Sequence, residues 1–258
     1  MKYLQINKNS NILEIILNRP DKRNALNSDF VAELRQAFET ADLDEQIRVI
    51  ILKGMGKAFS AGADLAYLQQ LQNNTYDENL QDSTHLMELF KTMYFHKKII
   101  IAQVEGHALA GGCGLATVCD FIFSVPEALF GYTEVKIGFI PAIVMFFLLR
   151  KTNENIARQL LLTGKLISAE EAYKIGLVYH ISSAEHIGKE VMVFAEKLAE
   201  ETSGEAIALT KKMIAEIQSM ESMEALKYAA SQNAVARATH DCKKGIGAFL
   251  NKEVLKWN

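Results

Sequence analysis

Along the first 180 residues, short apolar runs of strand length alternate with longer segments whose apolar residues recur at three-to-four spacing. The runs are YLQI (3–6), ILEIILN (12–18), IRVIILKG (47–54), KIIIAQVEG (98–106), DFIFSV (120–125) and GLVYHIS (176–182). The turn residues Asn7 to Asn11 join the first two runs into a hairpin, and the amphipathic segment Ser28 to Leu43 then carries the chain to the third. SAEEAYKIG (168–176) bears a capping box at Ser168 and Glu171. Strands in alternation with helices give an α/β chain, because each helix must cover the face of a sheet.

From Ala184 onward the pattern is almost wholly helical. At 258 residues and 49% hydrophobic the chain can bury one sizeable core. The division expected is a core over 1–199 that carries the chemistry and a helical region over 200–258. The stretch Gln69 to Thr84 is polar with few large apolar side chains and reads as a surface loop.

Charge narrows the partners. The 28 basic and 31 acidic residues are intermixed, for a net charge of −3, so there is no electrostatic footprint for nucleic acid. Three cysteines, Cys113, Cys119 and Cys242, have neither the even count of a disulfide framework nor the paired spacing of a metal site. The longest apolar run, FIPAIVMFFLL, is too short to span a bilayer, and the first residues lack the layout of a signal peptide. The expectation is a protein of the reducing cytoplasm with no membrane association.

Two loops carry the candidate chemistry. KIIIAQVEG runs into GHALAGGCGLATVCD (106–120), which has glycines at 111, 112 and 114 in a stretch that otherwise reads as helix. Each interior glycine costs a helix about 0.5–1 kcal/mol relative to alanine. A helix opening on glycine leaves free N–H groups at its positive end, where a ligand oxygen can approach closely. KAFSAGADL (57–65) follows another strand and holds Gly62 among small residues. Two such turns can aim two N–H groups at one oxygen that becomes anionic. Tight turns and close helix–strand packing account for either loop alone equally well.

NRPDKRNAL (18–26), KAFSAGADL (57–65), GHALAGGCGLATVCD (106–120) and FGYTEVKIGFIP (130–141) resemble, in order and spacing, the successive signatures of the enoyl-CoA hydratase/isomerase, or crotonase, family. LLTGKLISAEEAYKIGLV and KKGIGAFLNK extend the resemblance over essentially the whole chain. It implies the ClpP/crotonase-like fold, a spiral of repeated β-β-α units followed by C-terminal helices that form a homotrimer or a dimer of trimers. It further implies an acyl-CoA thioester whose carbonyl is held by the N–H groups of Ala63 and Gly111. Coenzyme A enters as part of the substrate, with no metal, flavin or nicotinamide.

The family's two proton-handling carboxylates fall at positions that read Gly114 and Glu134 here. Glu134 is therefore the expected acid/base, with its pKa raised by the neighbours Phe130, Phe139 and Ile140. Gly114 departs from the two-acid pattern and favours isomerisation over ordinary hydration. Glu105, His107, Asp64, Tyr67 and Tyr132 flank the loops as stand-ins for the missing acid, each with a structural explanation as well. By the same resemblance, Lys22 and Arg23 face the nucleotide phosphates, with Lys252 and Lys256 as weaker candidates. Ala25, Ala61, Asp64 and Leu65 line the adenine and pantetheine path, and Gly112, Tyr132, Pro141 and Ala142 the acyl end. The bulky Ala142 to Met145 replaces the family's glycine-rich stretch after the proline, either as core or as pocket wall.

The expected reaction is reversible hydration of an enoyl-CoA, with 3-methylglutaconyl-CoA of leucine breakdown among the candidates. Double-bond isomerisation is the alternative, followed by decarboxylation or dehydration through the same enolate. A member that has lost its chemistry and serves as a CoA-binding or scaffold protein is the reading from a different class.

Overall fold

In a computed structural model describing residues 1–257, the apolar runs form one sheet, and short strands between them form a second. Strands β1 (Leu4–Asn9) and β2 (Ile12–Leu17) make the expected antiparallel hairpin, with Ser10 at φ 53° in its turn. Helix α1 (Ser28–Leu43) follows, capped by the Asn27 side chain, which accepts from the Phe30 N–H. Its Phe30, Val31, Leu34, Ala37, Phe38 and Ala41 are buried, which is the spacing of one helical face.

Strand β3 (Val49–Gly54) pairs parallel with β2 and is continued after a short turn by β4 (Ala58–Ser60). Helices α2 (Leu65–Leu71) and α3 (Tyr76–Tyr94) lead to β5 (Ile99–Val104), β6 (His107–Leu109) and helix α4 (Gly111–Thr117). Strands β7 (Phe121–Ser124) and β8 (Leu129–Gly131) repeat the motif, followed by α5 (Ala142–Lys151) and α6 (Glu154–Thr163). Strand β9 (Ile167–Ser168), helix α7 (Ala169–Lys174) and strand β10 (His180–Ile181) close the sheets.

One sheet has the order β1-β2-β3-β5-β7-β10 and the other β4-β6-β8-β9. Each turn of the chain thus gives one long strand to the first sheet and one short strand to the second, which is the repeated β-β-α spiral. The first sheet is parallel apart from its β1 edge. Every residue of β5 is buried, as expected of a central strand covered on both faces.

Helix α8 (Ile187–Glu201) lies on β2, β3, β5 and β7, burying Ile187, Val191, Ala195 and Ala199. The chain leaves the core after α8, and α9 (Gly204–Ile217), α10 (Ser222–Ala238) and α11 (His240–Asn251) pack mainly on one another. None of the described helices is long and apolar enough to cross a membrane.

One expectation is overturned. The polar stretch 69–84 is mostly helix, because Thr75 and Glu78 form a capping box that starts α3. The helix is held by its second half, where Leu89, Phe90 and Met93 are buried against the core.

Candidate active site

The site is built where β4 and β6 lie side by side, because parallel neighbours deliver their following loops to the same end of a sheet. After β4 the chain turns through Gly62, whose φ is +86°. A Cβ at Gly62 would stand 2.9 Å from the Ala110 Cβ, 3.0 Å from the Leu109 carbonyl oxygen and 3.3 Å from the Gly111 nitrogen. Only glycine lets the two loops meet this closely.

Ala110, the residue before α4, has φ 49° and ψ −127°, a conformation an L residue adopts at a cost of about 1–3 kcal/mol. Its own N–H donates to the Gly131 carbonyl at 2.7 Å, which pins this strained unit to the end of β8. Ala63 is held equally firmly: Leu26 N–H donates to the Gly62 carbonyl at 2.7 Å and Asp64 N–H to the Leu26 carbonyl at 2.9 Å. The N–H groups of Ala63 and Gly111 themselves have no acceptor among the described residues. Two fixed and uncommitted donors on adjoining loops are what an anion receptor built in rigid backbone requires.

Glu134 begins a 3₁₀ turn, Glu134–Ile137, three residues beyond Gly131, whose carbonyl receives the Ala110 N–H. It is 9% exposed, and its Oε2 has no hydrogen-bond partner among the described residues. Burial pushes its carboxyl above the ordinary value, opposed by a backbone hydrogen bond at Glu134 itself. Of the side chains expected to cause this, Phe130 is buried, whereas Phe139 and Ile140 are 54% and 65% exposed.

The structure moves two expected ligand contacts from the pocket into its foundation. Tyr132 is fully buried with its hydroxyl 2.7 Å from Thr117 Oγ1. At Gly112 a Cβ would fall 2.3 Å from the Ser60 carbonyl oxygen, so this glycine serves close packing of α4 on β4. The catalytic expectation at Gly114 is corrected in kind: the position offers no open volume, because a Cβ there would meet Val144 Cγ1 at 2.0 Å.

Three of the candidate stand-ins for a second acid, Asp64, Glu105 and His107, are engaged elsewhere. Asp64 caps α2 by accepting from Ala66 N–H and pairs with Arg19 at 2.6 Å. Glu105 accepts from Gln103, and His107 Nδ1 accepts from Leu129 N–H. The Cys113 thiol of α4 is fully buried, and burial pushes it up to about 12.

The coenzyme A positions fall around one loop. Lys22 and Arg23 are exposed on the first 3₁₀ turn and its end, and neither forms an ion pair with a described residue. Ala25 is buried, Ala61 half-buried and Leu65 exposed, all on segments that adjoin through the Leu26–Ala63 bridge. Pro141 is buried before α5 and Ala142 is exposed. Lys256 pairs with Glu200 on α8.

Asn24 is the residue that motif reading passed over. It sits at φ 53° with no exposed surface, and its amide donates to the carbonyls of Met55 and Ala58 while accepting from Arg19 N–H. Asn tolerates the left-handed region and supplies both donor and acceptor, which is the signal for such a clamp.

Comparison with known proteins agrees with this fold. A family model described as enoyl-CoA hydratase/isomerase matches residues 7–258. A Thermus thermophilus protein provisionally named an enoyl-CoA hydratase is 40% identical, over 96% of this chain and 98% of its own. The crotonyl-CoA hydratase of Syntrophomonas wolfei is 34% identical, covering 96% and 94%. The crystal structure of an enoyl-CoA hydratase/isomerase from Marinobacter aquaeolei superposes with a TM-score of 0.92 at 30% identity, covering 100% and 99%. The match along nearly the full length places this chain in the enoyl-CoA hydratase/isomerase family.

Proposed function

We propose that the protein reversibly hydrates a 2-enoyl-CoA, with the thioester oxygen held by the N–H groups of Ala63 and Gly111 and Glu134 as the acid/base. The observation that carries this reading is the buried Glu134, with Oε2 unpartnered, three residues beyond the strand end that anchors one of two uncommitted donor loops. The names of the relatives, crotonyl-CoA hydratase among them, support the same chemistry.

In the forward step Glu134 takes a proton from water as the oxygen bonds to C3. The C2–C3 π pair shifts toward the thioester, whose oxygen becomes an enolate held by the two donors. The enolate then collapses and C2 takes the proton back from Glu134, so the product gains one water and the enzyme is restored. Preorganised donors act here because they strengthen as charge develops on the oxygen.

Double-bond isomerisation is the second reading, favoured by Gly114. In it Glu134 moves a proton between C2 and C4 through the same enolate with no change of mass.

Lys22 and Arg23 would meet the nucleotide phosphates of coenzyme A, as free charges on the rim of the Asn24 loop. Self-association would use the C-terminal helices, since α10 buries none of its residues and leaves Met223, Leu226 and Val235 exposed.

The test is mass spectrometry of products from 2-enoyl, 3-enoyl and 3-methylglutaconyl thioesters of CoA, with wild type and Glu134→Gln. A Glu134-dependent product heavier by one water supports hydration. A product of unchanged mass with a shifted double bond replaces it by isomerisation, and turnover unaffected by Glu134→Gln removes both.

A further inference from the structure

Gly114 lies nearly one turn beyond Gly111 on α4, about 4.5 Å along the axis, so the two positions are neighbours on the helix surface. The space beside Gly114 is not vacant. An ideal Cβ at Gly114 would fall 2.0 Å from Val144 Cγ1, 2.6 Å from Val144 Cβ and 3.4 Å from Phe90 Cε1. Val144 is 4% exposed, Phe90 is fully buried, and Phe90 stacks on Phe147 with ring centroids 5.4 Å apart. Both helices bring apolar groups to this point: Val144 comes from the first turn of α5 and Phe90 from α3.

We propose that Val144 is the specificity-determining residue of this site: by filling the volume beside Gly114 with hydrocarbon it excludes a second acid and its water, and so sets the partition between water addition and double-bond shift. This rests on the reading of Glu134 given above. A missing side chain in a polar pocket leaves room for water, whereas a missing side chain filled by a neighbour's methyl does not. Gly114 and Val144 are therefore one interlocked unit, and neither position can change alone without cost. Proton delivery in this site then falls to Glu134 alone.

The interlock dictates the test. Gly114→Glu alone places its Cβ inside Val144 and is expected to lower the melting temperature and lose activity. Alanine at 144 does not make room, because the Val144 Cβ is itself 2.6 Å away, so the compensating change is Val144→Gly. The double variant Gly114→Glu/Val144→Gly is expected to regain melting temperature relative to Gly114→Glu. It should also hydrate a 2-enoyl-CoA at least about tenfold faster than Val144→Gly alone, within the range a positioned acid/base contributes.

Val144→Thr keeps the shape and replaces one methyl by a hydroxyl, so it provides a reading whether or not the double variant folds. Its ratio of hydrated to isomerised product is expected to rise at least about threefold, since one new hydrogen bond of ordinary strength suffices for that change. An unchanged ratio in Val144→Thr, or a folded double variant no faster than Val144→Gly, overturns the proposal and leaves Val144 as packing alone. Either result is separable from failure of the Glu134 reading, in which Glu134→Gln turns over substrate like wild type.

Discussion

The Gly111 nitrogen stands 3.3 Å from the place a Cβ on Gly62 would occupy. Two loops far apart in sequence therefore share one corner, and a single methyl group is enough to separate them. Gly62→Ala faces both that contact and a φ of +86°, which alanine adopts only with strain. Displacement of the Ala63 amide by about 1 Å is expected to lower kcat about 100-fold. Steady-state kinetics on a 2-enoyl-CoA, with circular dichroism to show the fold retained, checks this.

Glu134→Gln is expected to lower kcat by about 10²–10⁴ while leaving substrate affinity nearly intact. The stability change has a definite sign. Burial raises the folded carboxyl above its ordinary value of 4.5, so the folded chain holds this proton more tightly than the unfolded chain does. The contribution of Glu134 to stability is therefore full below the ordinary value and is lost as pH rises through the folded pKa. Melting temperatures of Glu134→Gln should exceed those of wild type at pH 8, and the gap should narrow as pH falls toward the ordinary carboxylate range. Activity follows the opposite course, falling in acid as the base form of Glu134 disappears.

Asn24→Ala is expected to destabilise the fold by about 1–3 kcal/mol, because it leaves the buried Ala58 carbonyl and the part-buried Met55 carbonyl without their donor. The same change loosens the loop carrying Lys22 and Arg23, so the KM for acyl-CoA should rise along with the loss in denaturant midpoint. Chemical denaturation and kinetics on one preparation read both effects.

Lys22→Ala/Arg23→Ala should raise the KM for acyl-CoA about tenfold with kcat and melting temperature unchanged, since both side chains are exposed and unpaired. The wild-type KM should rise with salt, and the variant's much less.

Much of this architecture is legible in the sequence because local rules and tertiary demands agree there. The apolar runs become β1, β2, β3, β5 and β7, and Ser168 and Glu171 form the capping box their spacing announces. The second sheet is harder to read, since β4, β6 and β8 have three residues each and are formed by pairing to neighbours rather than by periodicity. Helix α3 was hidden by its polar first half, where only Thr75 and Glu78 mark the start. Within the site, Glu134 and the two glycine loops stand out as motifs. The strain at Ala110 and the plug of Val144 against Gly114 do not, because each depends on what a distant segment brings to that position.

The central claim is that Glu134 delivers the C2 proton to an enolate held by Ala63 and Gly111. Incubation of a 2-enoyl-CoA in deuterium oxide, with products read by mass spectrometry and proton resonance, tests it directly. The account predicts a hydrated product carrying one deuterium on a single face of C2, formed about 10²–10⁴ more slowly by Glu134→Gln. A hydrated product without deuterium at C2, or Glu134→Gln acting at the wild-type rate, would contradict it.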